Sequence, residues 1–432
     1  MAQFRKDINQ LDNAISTRYE VVMLADNYGN INPGTGGTAV DAFGRSRVSE
    51  PFTLFDSQHR YDENEYWSEA NSGTHSVHRP NESAIDMTID GTNGSYIYRE
   101  TKRVFPYQPG KSLLLLNSFA FNVQKTGLRQ RIGYFGTQNG IFLEDDGTNI
   151  CICRRTYVNG VVEELKIPQT SWNVDVFDGT GPSQRLLTQE KTNIFWLDIE
   201  WLGVGDVRCG FIVDGQMYVA HTFHGDNVND TAYMTTAILP LRVEIENTAD
   251  TGSSSTLKQI CNSVISEGGY GKRVKPSFIT RTTDVSVPGS GWKPLVALRL
   301  NANRLDSIIL PGTYSIYAST TPANIELAWV RNPTSLTVPA SPGGWVQSGN
   351  ADICVDATAV DITGGTFESR DYISASNQTG GGGTSTFEYN FDTQLGRTIA
   401  GVSDVLVLVA RNITSNATDT VARTTATFYD LT

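Results

Sequence analysis

The chain has 432 residues, more than one ordinary hydrophobic core organises, so two or three domains are expected. Its formal net charge of -12 excludes a nucleic-acid-binding surface spread over the molecule, because phosphate contacts need Lys and Arg. With 40 Gly, 5 Met, 5 His and a surplus of Thr, Val, Ile, Tyr, Phe and Asn, the composition favours strands and tight turns, so the expected fold class is all-β.

In chain order, Phe4, Ile8, Leu11 and Ile15 fall at helical spacing and predict one short helix over residues 1 to about 20. A helix of that length is marginal alone and needs a partner to pack on. Tyr19 to Ala25 (YEVVMLA) is expected to form a short strand, and NYGNINPGTGGT, residues 27 to 38, a turn-rich linker. The opening MAQFRKDINQLDNAIS is polar and carries no secretory signal. No apolar run approaches the ~20 residues of a membrane-spanning helix. The expectation is a protein folded in a reducing cytoplasm, with no membrane insertion.

From about Asp41 to Gly271 the pattern is strand, turn, strand. Its clearest piece runs from Asn193 to Phe223. Phe195, Leu197, Ile199 and Trp201 alternate with Trp196, Asp198 and Glu200, which is a strand with one apolar face. GVGD at 203 to 206 turns the chain, and Val207, Cys209, Phe211 and Val213 repeat the pattern. Asp214-Gly215 is a two-residue hairpin signal, and Met217 to Phe223 continues the meander. Adjacent strands with one oily face must bury it against a second sheet, and a region of about 230 residues suits a large jelly-roll-like β-sandwich.

GGYGKRVKPSF, around 268 to 278, is a boundary signal. Beyond it short strands are expected at Trp292 to Leu300, Ser307 to Ile309, Thr313 to Ala318, Ile325 to Val330, Val405 to Val409 and Thr424 to Phe428. GGGG at 380 to 383 is expected to be an exposed, flexible loop. The resulting division is 1–38, an N-terminal helical or extended anchor and linker; 39–275, a jelly-roll-like sandwich; and 276–432, a second β-sandwich.

Few groups point to chemistry. Cys151 and Cys153 share a strand face, but five cysteines with no CxxC pair read as buried hydrophobes rather than a zinc site. His75 and His78, with His59 upstream, and His221 with His224, are three apart in stretches that are not helical, so they read as polar loop residues. Glu144-Asp145-Asp146-Gly147 has the carboxylates of a calcium site but is also a plain hairpin turn, which is the preferred reading. No nucleophile elbow or phosphate loop occurs, and no cofactor or metal is expected.

Asp198 and Glu200, about 7 Å apart as alternate strand residues, lie in LDIEWLG, which resembles the E-x-D-x-E signature of the jelly-roll glycosidases of family 16. The resemblance fails where that family's nucleophile would stand, at Trp196, so the two carboxylates are expected to solvate an outer face. The resemblance also hints at a lectin-like sandwich.

Longer strings resemble a family of tailed-bacteriophage virion proteins found in marine and environmental phages. They are DAFGRSRVSEPFTLFDSQHRYDEN (41 to 64), RETKRVFPYQPGKS (99 to 112), RQRIGYFGTQNGIFLE (129 to 144), IPQTSWNVDVFDGTGPS (167 to 183), EWLGVGDVRCGFIVDG (200 to 215) and TLKQICNSVISEGG (256 to 269). TRYEVVMLADNYGN (17 to 30) resembles the opening of other phage appendage proteins.

The resemblance implies a non-enzymatic virion structural component of the fibre, collar or head-surface kind, assembled in the host cytoplasm. It would dock on capsid, neck or tail proteins through Phe4, Ile8, Leu11, Ile15 and Tyr19. A homo-oligomer is implied too, with a trimer as the common fibre symmetry. The alternative is a receptor-binding adhesin for host surface glycan, with Tyr61, Tyr66, Trp67 and Trp345 as candidate stacking aromatics. A glycan-cleaving enzyme is a distant third.

Overall fold

A computed structural model describes residues 50–432 except 202, 204, 227, 229, 272–274, 319–322, 340–343, 356–360, 376–380, 386–390 and 415–419. The expected anchor, with Phe4, Ile8, Leu11, Ile15 and Tyr19, lies outside the described residues. Residues Pro51–Thr432 form one compact unit.

The unit is all-β, built from antiparallel sheets. Among the described residues, no sheet mixes strands from before and after residue 270. The first sheet runs, from edge to edge, through Gln216–Phe223, Val207–Val213, Asn193–Ile199, Leu113–Ala120, Ser255–Ser266, Ala84–Ile89 and Val77–Arg79, with Phe52–Ser57 also paired to Ser255–Ser266. The second runs through Glu163–Pro168, Ile150–Thr156, Gly140–Asp145, Leu128–Phe135, Leu241–Asn247, Tyr96–Thr101 and Trp67–Asn71. A third sheet orders Lys275–Val287, Thr420–Asp430, Ile309–Ala318 and Gly381–Ser385. The fourth orders Val346–Ser348, Ala351–Cys354, Lys293–Leu300, Val405–Asn412, Ala323–Arg331 and Thr366–Ala375.

Alternation explains the first sandwich. Phe195, Leu197 and Ile199 are fully buried in one core with Leu115, Ile132, Tyr134, Val243 and Leu257, drawn from both sheets. The Asp214-Gly215 turn carries φ of 52° and 76°, the left-handed pair a two-residue hairpin needs, and Val213 pairs with Gln216 across it. The second sandwich buries Leu298, Leu327, Trp329, Leu408 and Phe428 in a core of its own. Ile308 and Leu310, by contrast, join the core of the first sandwich, so the two halves share apolar contact.

Several local expectations need correction. The GGGG segment is not a free loop: Gly381–Ser385 pairs with Tyr314 to Ala318 as an edge strand, because a ladder needs backbone groups and not side chains. The two short strands expected at 307–309 and 313–318 are one strand, Ile309–Ala318, interrupted by an irregularity between Pro311 and Tyr314. Lys275–Val287, inside and beyond the boundary string, is a long strand paired with Thr420–Asp430.

Charge is organised on the face of the second sheet opposite its core. Ile132, Leu143, Val243 and Ile245 point inward, so their strand neighbours Arg131, Glu144, Arg242 and Glu244 point the other way. There Arg131 bridges Glu144 (2.5 Å) and Glu244 (3.1 Å), and Arg242 bridges Glu100 (2.5 Å) and Glu244 (2.6 Å). Burial works against the charge of Glu244, but Arg242 and Arg131 outweigh it and hold its carboxyl below the ordinary range.

The cysteines read as hydrophobes because they are buried. Cys151 and Cys153 pack with Phe135 and Phe142, and burial pushes the Cys151 thiol up to about 12 and that of Cys153 higher still. Burial does the same to Cys209, and Cys354 is buried as well. A thiol reagent applied to the folded protein at pH 8 is therefore expected to modify at most half-buried Cys261, and all five cysteines only after denaturation. Rapid labelling of two or more thiols in the native state would contradict this packing.

Candidate functional site

Of the two carboxylates expected to solvate an outer face, Glu200 is exposed as expected and Asp198 does something else. Asp198 is only 7% exposed and is clamped by Arg208, whose Nε donates at 3.0 Å and whose Nη2 donates as well. Glu200 lies beyond the end of the strand at Ile199 and is exposed. Trp196, where a nucleophile would stand, is buried and donates its indole N–H to the Tyr218 carbonyl at 3.2 Å.

His59, His78 and His221 also depart from expectation, while His75 and His224 are exposed residues outside the strands, as expected. His221 is a buried strand residue, and His59 is fully buried. His78 lies in the strand Val77–Arg79 and hydrogen-bonds the His59 carbonyl at 2.7 Å. No group of three or more His, Cys, Asp or Glu able to hold a metal occurs among the described residues.

The acidic hairpin holds Asp145 in a shell of amides. Gln124, Gln130 and Gln189 donate to it at 3.0–3.1 Å, and burial raises its pKa despite them. Its neighbour Glu144 is spent on Arg131 and Lys166.

The four candidate aromatics do not converge. Tyr61 is 75% exposed, with the Arg60 guanidinium 4.9 Å from its ring centre. Trp67 is core: it is 6% exposed, donates to Ser57 Oγ at 2.9 Å and meets Phe55 edge-on, so it offers no face to a ligand. Trp345 is half-buried on the second sandwich, with Arg299 at 4.3 Å from its ring centre. Tyr66 lines a cavity. It is half-buried just before the strand that Trp67 begins, and its ring also meets Phe55 edge-on.

That cavity is a cleft of about 410 Å³ between the two sandwiches. The first sandwich contributes Glu65 and Tyr66, just before the strand Trp67–Asn71, and Lys102 and Arg103, just after the strand Tyr96–Thr101. The second contributes Arg331 and Asn332 at the end of one strand, Gly365, Thr366 and Glu368 at the start of another, and Asp392, Gln394 and Asp404 from connecting segments.

Arg103 is 3% exposed, lies 3.7 Å from the Tyr66 ring centre, and reaches Asp392 at 3.4 Å. A desolvated guanidinium over a phenol ring is a favourable cation–π contact. Burial still pulls the Arg103 pKa below its ordinary value, partly offset by Tyr66 and Asp392. Burial also opposes the charge of Arg331, but Glu368 and Asp404 overcome it. Arg331 donates to Glu368 Oε1, to Asp404 Oδ2 at 2.8 Å, and to the carbonyls of Thr393 and Gln394 at 3.0 and 3.3 Å.

Asp404 also accepts from Asn332 (2.8 Å) and the Gly396 backbone N–H (2.9 Å); against its burial, these and Arg331 hold it below the carboxylate range. Asn332 adopts φ 51°, a left-handed conformation that Asn tolerates better than most residues.

Two acceptors in this wall lack partners among the described residues: Glu368 Oε2 and Gln394 Oε1, the latter on a side chain 2% exposed. A buried acceptor without a donor costs about 1–3 kcal/mol, and a ligand donor would recover it. The cleft exists only with both sandwiches in place. Arg397 ties them, donating its backbone N–H to the Lys102 carbonyl (2.8 Å) and its guanidinium to Glu100 (2.6 Å), and the Ile399 N–H donates to Ser68 Oγ at 3.0 Å. Sequence reading found Tyr66 alone of this set. The other lining residues come from positions hundreds apart and share no motif.

No protein-family model matches the chain, and no curated protein matches it. Among solved structures, a Bacteroides ovatus mixed-linkage-glucan GH16 protein in complex with a G4G4G3G product is similar at 12% identity, over 49% of this chain and 99% of its own, with a TM-score of 0.35. The Emp47p carbohydrate recognition domain is similar at 10% identity, over 52% of this chain and 100% of its own, with a TM-score of 0.32. The CBM2 module of the evolved Dit of Lactobacillus casei BL23 phage J-1 is similar at 8% identity, over 52% and 99%, with a TM-score of 0.35. Likenesses at this level assign no residue and no activity to the chain.

Proposed function

We propose that the chain is a non-catalytic structural component of a bacteriophage particle, of the fibre, collar or head-surface kind, that docks through its N-terminal segment and presents its sandwiches outward. The observation that carries this is where the phage-like strings fall. RQRIGYFGTQNGIFLE covers most of the hairpin Leu128–Phe135 and Gly140–Asp145, EWLGVGDVRCGFIVDG contains Val207–Val213, and TLKQICNSVISEGG covers most of Ser255–Ser266. The resemblance thus rests on core strands of one sandwich. A structural rather than hydrolytic role is supported by Trp196 and by Asp198, whose carboxylate is held by Arg208.

The partners in this reading are capsid, neck or tail proteins and further copies of the chain, as a trimer in the fibre case. Phage particles purified on a density gradient should contain the full chain. A chain lacking residues 1–38 should fold yet be missing from them. Absence of the full chain from purified particles would refute the particle role, and full occupancy by the truncated chain would refute the docking role of Phe4, Ile8, Leu11, Ile15 and Tyr19.

A second reading, an adhesin for host surface glycan, is favoured by one feature: the polar cleft at Tyr66, with its unpartnered acceptors.

A further inference from the structure

We infer that the inter-sandwich cleft binds a neutral, hydroxyl-rich ligand, a short segment of neutral hexose glycan, whose hydroxyls donate to Glu368 Oε2 and Gln394 Oε1. This rests on the adhesin reading and gives it a place and a ligand class.

The first argument is the mixed character of the wall. Two acceptors of the wall, Glu368 Oε2 and Gln394 Oε1, lack partners among the described residues, so a ligand that satisfies them must bring donors. Lys102 and Arg103 stand on the opposite sandwich, which disfavours an ammonium group as that donor. A carboxylate ligand is disfavoured by Glu65, Glu368, Asp392 and Asp404, which outnumber the three cations lining the same cleft. The group that both donates and accepts, and carries no charge, is the hydroxyl. A glycan supplies several of them on one rigid ring.

Size and anchoring agree. About 410 Å³ lies within the range of small-ligand sites and fits a short saccharide rather than a folded partner. Tyr66 supplies the one aromatic wall, held in place by the guanidinium of Arg103. Arg331 is wholly engaged by Glu368 Oε1, Asp404 and two carbonyls, so it positions Glu368 and does not compete for the ligand. Asp404 is saturated by Arg331, Asn332 and Gly396, so it too positions the wall and does not compete for the ligand.

The test is titration of the full chain against neutral hexose oligosaccharides, uronate oligosaccharides and oligolysine, by calorimetry and on an array. Neutral oligosaccharides are expected to bind, and affinity should fall about tenfold for Tyr66→Ala and about five- to tenfold for Glu368→Gln, which turns the acceptor into a donor. Thr366→Trp fills the cleft from an exposed position and should abolish binding without unfolding the protein, which guards against misfolding of the other two. Phe278→Ala, at a 62% exposed aromatic on the third sheet, should bind as the parent does.

Glycan binding that survives all three cleft substitutions, or is lost with Phe278→Ala, would overturn the cleft while leaving the adhesin reading intact. Binding of uronates or oligolysine in place of neutral sugars would overturn the ligand class. No saccharide binding by the parent chain would overturn both the cleft and the adhesin reading.

Discussion

Replacing Arg99 by alanine is expected to cost the fold about 3–5 kcal/mol, the loss typical of breaking a buried charged contact by removing one partner. Arg99 has no exposed surface. It shares the inward face of its strand with Ile97, and from there Nε crosses the sandwich to Gln259 Oε1 at 2.9 Å, on the same inward face as Leu257. Its Nη1 donates to Glu63 at 2.5 Å and to Ser76 at 2.7 Å, and Glu69 lies at 3.7 Å.

Truncation strands the Gln259 oxygen inside the sandwich and leaves two carboxylates without their cation. Arg99→Met restores much of the apolar volume but none of the donors, so it should remain destabilised by about 1–3 kcal/mol. Urea denaturation of the parent and both variants decides the matter. A methionine variant as stable as the parent would mean that Arg99 acts through packing alone.

Acid is the second large lever. His59 and His221 each use Nδ1 to accept a backbone N–H, from Asn64 and Asn173 respectively, both at 3.3 Å. Protonation of Nδ1 would break those bonds. Burial, with Arg99 and His78 nearby, lowers His59 to about 3, and burial with His224 nearby lowers His221 to about 4.

Both rings stay neutral in the fold but take up a proton in the unfolded chain below about pH 6.5. Stability is therefore full above 6.5 and falls as the pH drops toward the folded values. Each histidine contributes up to ~1.4 kcal/mol per pH unit, so the pair should cost about 2–4 kcal/mol by pH 5. Carboxylates held below their ordinary range, such as Asp404 and Glu244, lose their contribution only in more acid solution, through and below the usual carboxylate range. Denaturant titrations at pH 7.5 and 5.0 should show the loss, and a His59→Gln, His221→Gln double variant should show a flatter slope between the two. Equal parent stability at both pH values would contradict the assignment.

Much of the fold was legible where the physics is local. Phe195, Leu197 and Ile199 alternate, and they are buried. Asp214-Gly215 reads as a turn because only a few residue types adopt its backbone, and it is one. What local pattern does not encode is which strand meets which. Phe52–Ser57 pairs with Ser255–Ser266, some two hundred residues on, and nothing in either string names the other.

The site suffered for the same reason, since the cleft draws from six separate stretches of chain. Trp67 was misplaced because an aromatic residue beside a turn looks the same whether it faces solvent or core. The glycine run misled in the opposite sense: flexible composition reads as a loop until a neighbouring strand offers it a ladder.

The pairing order bears on how the protein can be made. Thr420–Asp430 sits between Lys275–Val287 and Ile309–Ala318 in the third sheet. Those two strands have no pairing with each other, so the sheet cannot assemble from the nascent chain until residue 430 has emerged. The two large sheets of the first sandwich have all their strands once Ser255–Ser266 has been made, but Ile308 and Leu310 of its core come later, and the second half stays open and apolar until residue 430 follows. A ribosome that stops early would release a molecule with one sandwich whose strands are all made and one sticky remnant, a natural target for proteases and chaperones.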